Sequence, residues 1–290
     1  MLLMVVATMS FTFMQTLIKT VAADTDSPLH PIEIAFFRNL FGVVSLVPLV
    51  LRGGLSAFRT QRIGLHVLRA TVQSGGMLSF FVALTLVPLA QVTALSFSAP
   101  LFATVLAVLV MGERIRARRI TALVVGFTGV LVVLQPGAEA LSVGALLVVG
   151  SSLAWGTAMT IIKALSRTDS ALTITLYAGI FMALITLVPA LFVWTSPTLE
   201  QLVWLLAIGA VGTFGHLAFA QAFKNAEMSA VLPLDFLRLV WASALGFWLF
   251  GEVPSLVAWA GGVLIFGSAT YIAVREARLA RAKAQAARTT

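Results

Sequence analysis

The first apolar stretch of the sequence is interrupted by polar residues at a helical spacing. Thr8, Thr12, Gln15 and Lys19 follow one another at intervals of four, three and four positions, which places them on one face of an α-helix. Inside a membrane, such a stripe faces the interior of the helix bundle or water rather than lipid. The stripe therefore predicts that Thr8, Thr12 and Gln15 line a polar cavity. The alternative is that they only form hydrogen bonds between packed helices.

Two later apolar stretches combine polar and aromatic side chains in a similar way. Gln73 and Phe80 share a helical face within "HVLRATVQSGGMLSFF", and His216 and Phe219 lie within "GTFGHLAFAQAF". A histidine can bind a substrate carboxylate or relay a proton, whereas a lone buried histidine more often only forms a hydrogen bond. We expect all four side chains to line the same cavity as the first stripe.

Charged residues inside apolar stretches are costly and need a partner or a purpose. Asp235 and Arg238 stand three positions apart, close enough to pair on one helix. They are candidates to bind the ammonium and carboxylate groups of an amino acid, and Asp235 is also a candidate carrier of a coupling proton. A purely structural ion pair is the alternative. Arg38 is a further embedded charge, with Glu33 nearby.

The composition requires lipid as the main solvent of this chain. Of its 290 residues, 60% are hydrophobic and 10% are charged, whereas soluble domains carry about 25% charged residues. The absence of cysteine excludes disulfides and thiolate metal sites. The three histidines lie on separate segments, and no paired carboxylates show a metal-binding spacing, so we predict neither an enzyme nor a cofactor or metal site.

Helices of about 20 apolar residues are needed to cross the hydrocarbon core. Ten segments have this length and lack the alternation of a β-barrel, so the sequence predicts an all-α integral membrane protein with spans at 1–21, 32–51, 64–87, 90–111, 118–135, 141–164, 171–194, 202–223, 228–250 and 255–274.

The basic residues predict the orientation of these spans. With the N-terminus inside, 15 of the 19 lysines and arginines fall in the inner loops and the tail, as the positive-inside rule requires. We therefore expect a bacterial-type inner (plasma) membrane protein with both termini cytoplasmic and a basic cytoplasmic tail at 275–290. Topology then explains the net charge of +8 without nucleic acid as a partner.

The two halves of the sequence also resemble each other. "LLMVVATMSFTFMQTLIK" (2–19) aligns with "LLVVGSSLAWGTAMTIIK" (146–163), and two later matches follow at slightly smaller offsets. Five spans per unit is an odd number, so units 1–137 and 138–274 would be inverted repeats, a plan typical of secondary transporters with a site near the midplane.

Met159 occupies the position of Gln15 and joins the predicted lining. Aromatic Trp155 and Tyr177 lie in spans expected near the cavity and could stack on an aromatic substrate.

Ten spans in two units, with "GE" after the fourth span of each unit (Gly112-Glu113 and Gly251-Glu252), resemble the EamA family of the drug/metabolite transporter superfamily. The sequence is most similar to bacterial exporters of aromatic and neutral amino acids. The resemblance implies that helices 1–4 and 6–9 surround a central cavity, with helices 5 and 10 to the side. Asp235 and Arg238 depart from the usual pattern of the fourth helix.

Together these features predict a transporter that exports amino acids or similar small metabolites by alternating access. A multidrug or cation efflux protein of the same fold is the main alternative, and a membrane-embedded enzyme is a remote one. The expected partners are the small-molecule substrate and the lipid bilayer, and the oligomeric state stays open.

Overall fold

The protein is built from α-helices. The computed structural model describes residues 2–23, 29–53, 58–111, 117–134, 142–165, 168–225, 234–235 and 237–289. Within these ranges it contains no strand and forms eleven helices: α1 (Leu2–Ala22), α2 (Pro31–Gly53), α3 (Ile63–Leu86), α4 (Leu89–Ser96), α5 (Ala99–Met111), α6 (Ala117–Leu134), α7 (Val143–Leu165), α8 (Ala171–Phe192), α9 (Leu199–Asn225), α10 (Leu237–Phe250) and α11 (Leu256–Thr289).

Most of these helices have the length and composition of membrane spans. Seven segments qualify by both measures, and Ile120–Leu134, Leu237–Phe250 and Leu256–Ile272 are shorter apolar helices. The prediction of an all-helical membrane protein is confirmed, with seven clear apolar spans among the described residues, and the full number of ten spans stays a prediction. The tenth predicted span, 255–274, corresponds to α11. This helix is longer than the predicted span because it continues into the basic tail without a break.

The prediction of one unbroken span over 90–111 is wrong in one respect. A turn at Phe97 and Ser98 divides this segment into α4 and α5. The amides of Phe97 and Ser98 bond the carbonyls of Ala94 and Leu95, three residues back, at 3.3 and 3.0 Å. Pro100 follows directly and has no amide hydrogen to continue the α-helical pattern. The helix therefore restarts from Ser98, whose carbonyl accepts the next amide bonds.

Several sequence features lie outside the described residues. These are Gly112-Glu113, the boundary between residues 137 and 138, and residues 228–233 and 236 of the ninth predicted span.

The helices of the first half pack mainly on those of the second half. α1 packs on α9 and α3 on α7, while α2 contacts both α8 and α9, and α3 also contacts α8. α6 and α11 pack on each other at the side of the bundle. Two glycines allow close approach, because a Cβ on Gly76 would lie 2.6 Å from the Cβ of Ala154, and one on Gly215 would lie 3.1 Å from Phe11.

Candidate functional site

A cavity of about 240 Å³ lies between the two halves of the bundle. Its walls come from α1, α2, α3, the α4–α5 turn, α7, α8, α9 and the start of α10, and neither α6 nor α11 contributes a described lining residue. The lining residues are Phe11, Met14, Gln15, Arg38, Gln73, Met77, Phe80, Phe81, Ser96, Phe97, Ala99, Pro100, Ser151, Ser152, Trp155, Met159, Met182, His216, Phe219, Asp235 and Arg238.

Nine of the twelve predicted site residues line this cavity: Gln15, Gln73, Phe80, Trp155, Met159, His216, Phe219, Asp235 and Arg238. The structure places these nine side chains around one cavity. Substrate binding by each of them stays a prediction.

The structure places the other three predicted residues elsewhere. Thr8 and Thr12 are buried, and their hydroxyls donate to the carbonyls of Val5 and Thr8 on the same helix, at 2.8 and 3.0 Å. Tyr177 lies near the end of the bundle, where its hydroxyl donates to the Phe58 carbonyl at 2.9 Å. A polar stripe at helical spacing predicts which residues share one face of a helix. It does not predict which turns of that helix lie beside the cavity.

The cavity concentrates polar atoms without a partner among the described residues. The Oε1 atoms of Gln15 and Gln73 are buried and accept no hydrogen bond, and neither the Ser151 hydroxyl nor Asp235 Oδ1 has a partner. Both glutamine side chains are more than nine-tenths buried. Because buried polar groups are normally hydrogen-bonded, this cluster indicates a place for a polar ligand or for water.

Asp235 and Arg238 contact each other, as their spacing predicts. Arg238 Nη1 lies 3.5 Å from Asp235 Oδ2, and Nη2 donates to the Ser96 hydroxyl at 3.4 Å. The guanidinium also lies over the rings of Phe11 and Phe97, at 5.9 and 5.5 Å from their centroids. Arg238 therefore has partners besides Asp235, and the loose ion pair leaves one carboxylate oxygen unbound.

Aromatic rings form a continuous part of the cavity wall. The His216 ring meets Phe11 edge-on at 4.9 Å and stacks on Trp155 at 6.4 Å, between centroids. Phe219 contacts Phe11 edge-on at 6.0 Å. These surfaces suit a planar, partly apolar group.

Arg38 is a lining residue that the sequence indicated only as an embedded charge. The nearby Glu33 does not pair with it. Glu33 Oε2 accepts the amide and hydroxyl hydrogens of Thr195, at 3.2 and 3.0 Å, and Oε1 has no described partner. The only signal in the sequence was that Arg38 is a charged residue within a predicted membrane span. Which face of α2 meets the cavity required the structure.

A polar network joins helix ends on one side of the cavity. Glu252 Oε1 pairs with Lys19, whose amine also donates to the Val87 carbonyl at 3.2 Å, and Glu252 Oε2 accepts the Leu89 amide at 2.8 Å. Gly251 has a φ of +65°, a conformation that favours glycine at a helix end. The turn after α10 thus directs Glu252 to the positive N-terminus of α4.

A second network lies at the opposite end of the helices. Asp169 Oδ2 accepts a hydrogen bond from Thr60 at 2.6 Å and lies 2.7 Å from His66 Nε2. Burial pushes the pKa of Asp169 upward, but the hydrogen bonds from Thr60 and His66 outweigh burial and hold the pKa below its usual value. Tyr177 packs near His66, with ring centroids 4.9 Å apart, so this network accounts for its position outside the cavity.

The sequence pattern of the EamA-like transporter family matches residues 1–135 and 142–274. The chain belongs to this family. The resemblance to the EamA family is confirmed, and the chain is a multi-pass membrane protein of a small-molecule transporter family.

Relatives in this family differ in their named substrates. The chain is 31% identical over 248 residues to the S-adenosylmethionine uptake transporter of Rickettsia prowazekii, which covers 86% of this chain and 84% of the relative. It is 32% identical to the riboflavin transporter of Vibrio cholerae, over 86% of this chain and 84% of the relative. It is 29% identical to the pseudopaline exporter of Pseudomonas aeruginosa, over 91% and 92%.

A solved crystal structure shares the fold. Its TM-score is 0.60 at 19% identity, covering 94% of this chain and 98% of the other. At that identity, the similarity supports the architecture alone.

Proposed function

We propose that this EamA-like transporter moves an amino acid, or a metabolite with an amino-acid head group, across the bacterial inner membrane by alternating access, and that it acts as an exporter. The observation that carries the proposal is the cavity between the two halves. It combines cationic side chains, unpaired oxygen acceptors and aromatic walls, which match the carboxylate, ammonium and side chain of such a substrate.

Inverted repeats supply the mechanism that we propose. If α1, α2 and α3 correspond to α7, α8 and α9, the contact of α1 with α9 corresponds to that of α3 with α7. The contact of α2 with α9 likewise corresponds to that of α3 with α8. The two separate family matches, over 1–135 and 142–274, also support two units. Units that exchange roles would give inward-open and outward-open states of similar energy.

The charge of the cavity favours an acidic or zwitterionic substrate over an organic cation. Arg38 and Arg238 are opposed by one described carboxylate, that of Asp235. Multidrug cation efflux would need an excess of acidic groups. S-Adenosylmethionine, the substrate named for one relative, has a sulfonium and a net positive charge, but its zwitterionic α-amino-acid end and its purine ring match the polar and the aromatic parts of the wall.

Transport by the purified protein in liposomes tests this proposal. We expect counterflow of labelled L-tryptophan or S-adenosylmethionine into vesicles preloaded with the same unlabelled compound, and none into protein-free vesicles. Efflux from loaded cells, with and without the protein, tests the exporting direction. Counterflow of riboflavin or of an organic cation, without any amino-acid-containing compound, would contradict the substrate class.

A further inference from the structure

Arg38 is held at the cavity wall by close packing from the neighbouring helices. A Cβ placed on Gly212 of α9 would lie 3.6 Å from both Nε and Nη2 of Arg38, and only 2.5 Å from the sulfur of Met14. Gly212 therefore leaves the space that the arginine and Met14 occupy. This packing limits the positions that the guanidinium can take beside the cavity.

The charge of Arg38 has no carboxylate partner among the described residues. Its Nη1 donates to the Asn39 side chain at 3.0 Å, which uses one of the five donors of a guanidinium. Glu33 is bound to Thr195, and Asp235 lies beside Arg238. An unpaired charge within a membrane bundle is costly, so the position of Arg38 at a cavity is explained by a partner that arrives from solution.

We propose that Arg38 is the anchor for the substrate carboxylate, and that it selects α-amino acids and their derivatives. This inference rests on the proposed function and deepens it. A guanidinium matches a carboxylate with two parallel hydrogen bonds, which a lysine cannot reproduce. Arg238 is less suited to this role, because Asp235, Ser96 and two aromatic rings already contact it.

The other end of the same ligand also finds partners in the cavity. An ammonium group donates three hydrogen bonds and accepts none. The cavity wall holds three acceptors without a described donor, namely Oε1 of Gln15, Oε1 of Gln73 and Oδ1 of Asp235. A cation without a described carboxylate partner and acceptors without described donors thus occur in one cavity, which is the pattern that a zwitterion complements.

Binding to the purified full-length protein, measured by ligand-induced thermal stabilisation, tests Arg38. Tryptophan and tryptamine are compared because they share the ring and the amine and differ in the carboxylate. S-Adenosylmethionine is a second carboxylate probe, and riboflavin has neither charged group. The variants are Arg38→Gln, Arg38→Lys and the control Arg52→Gln, which removes an exposed arginine from the end of the same helix.

In the unmodified protein we expect tryptophan to bind at least about 30-fold more tightly than tryptamine, as for a buried charge pair. Arg38→Gln should weaken tryptophan binding to the level of tryptamine and leave tryptamine unchanged. Arg38→Lys should lose about tenfold for tryptophan alone, and Arg52→Gln should lose nothing. If Arg38→Gln does not fold, the selective loss in Arg38→Lys carries the test.

Equal binding of tryptophan and tryptamine to the unmodified protein would overturn the inference, as would stabilisation by neither carboxylate probe. Tryptophan binding and counterflow that persist at full strength in Arg38→Gln would also overturn it, yet would leave the proposed amino-acid transport intact. Binding and counterflow of riboflavin alone would overturn both the anchor and the amino-acid class.

Discussion

At the scale of single residues, two contrasting environments occur among the embedded charges of the chain. Lys19 and Glu252 pair with each other and with backbone groups at helix ends. Arg38 and Asp235 instead line the cavity, where Arg38 has a hydrogen bond to Asn39 but no described carboxylate partner, and Asp235 Oδ1 accepts no described hydrogen bond. Because an unpaired charge in an apolar surrounding is costly, the second group is the one from which ligand binding is expected.

Substitutions in the Asp235–Arg238 pair distinguish a role in ligand binding from a structural role. We expect Asp235→Asn to express normally, because Arg238 retains Ser96 and two aromatic rings as partners. Affinity for a substrate ammonium should fall by roughly ten- to a hundredfold, the value of a hydrogen bond to a charged group. Expression level and ligand-induced stabilisation measure the two effects. Loss of expression that is restored in Asp235→Asn/Arg238→Gln would instead make the pair a scaffold.

Asp169 gives the protein a predictable response to acid. Its pKa is lowered in the folded state, so its carboxylate stabilises the fold above the ordinary aspartate pKa of about 3.9, and this contribution is lost as the pH falls through the lower folded value. The melting temperature of the unmodified protein should exceed that of Asp169→Asn at about pH 5, and the difference should shrink below about pH 4. A difference that keeps growing below about pH 4 would contradict this assignment.

At the scale of helices, glycine and proline decide where elements approach, break and end. Gly76 brings α3 against α7, Pro100 follows the break between α4 and α5, and Gly251 ends α10. The break exposes Ser96 and Phe97 to the cavity, so an interruption of regular structure contributes directly to the candidate site.

Two adjacent glycines of α3 provide a matched test of helix packing. A Cβ on Gly76 would lie 2.6 Å from Ala154, whereas one on Gly75 would meet nothing within 4 Å. Gly76→Ala should therefore destabilise the protein by about 1–3 kcal/mol through overpacking. Gly75→Ala should be neutral or slightly stabilising, because alanine is the better helix former. Thermal unfolding of the two variants in detergent measures the contrast, and equal melting temperatures would argue against the close α3–α7 contact.

The Lys19–Glu252 pair should couple the end of α1 to the turn after α10. Lys19→Gln and Glu252→Gln each remove the ionic partner of a largely buried charge, so both variants should unfold at lower temperature than the unmodified protein. In a double-mutant cycle we expect a coupling free energy of about 0.5–3 kcal/mol. Additive effects of the two substitutions would show that the groups do not interact in solution.

At the scale of the whole molecule, a bundle of apolar helices surrounds a cavity at the junction of its halves, with a mainly apolar and aromatic wall that carries a few charged and amide side chains. The networks of Glu252 and Asp169 lie at opposite ends of the helices. Under the proposed alternating access, contacts at both ends of the bundle must break and re-form, so we expect these two networks to change between states.

Topology is tested most directly in this cysteine-free chain by single cysteines. The exposed positions Arg59 and Ser196 lie at opposite ends of the bundle. With the predicted cytoplasmic termini, Ser196→Cys should react in intact cells with a membrane-impermeant maleimide, and Arg59→Cys should react only after permeabilisation. The reverse pattern would invert the predicted orientation.

The membrane class, most of the helices and the polar face of α1 could be predicted from the amino-acid sequence, whereas the break at Phe97 and Ser98 could not. These properties follow from hydropathy and from a period of 3.6 residues, which are local and readable along the chain. The tertiary structure alone decided that Arg38 faces the cavity while Glu33 binds Thr195, and that Thr8, Thr12 and Tyr177 lie away from it. The rotation and depth of each helix depend on packing between residues far apart in sequence, and no local pattern records that packing.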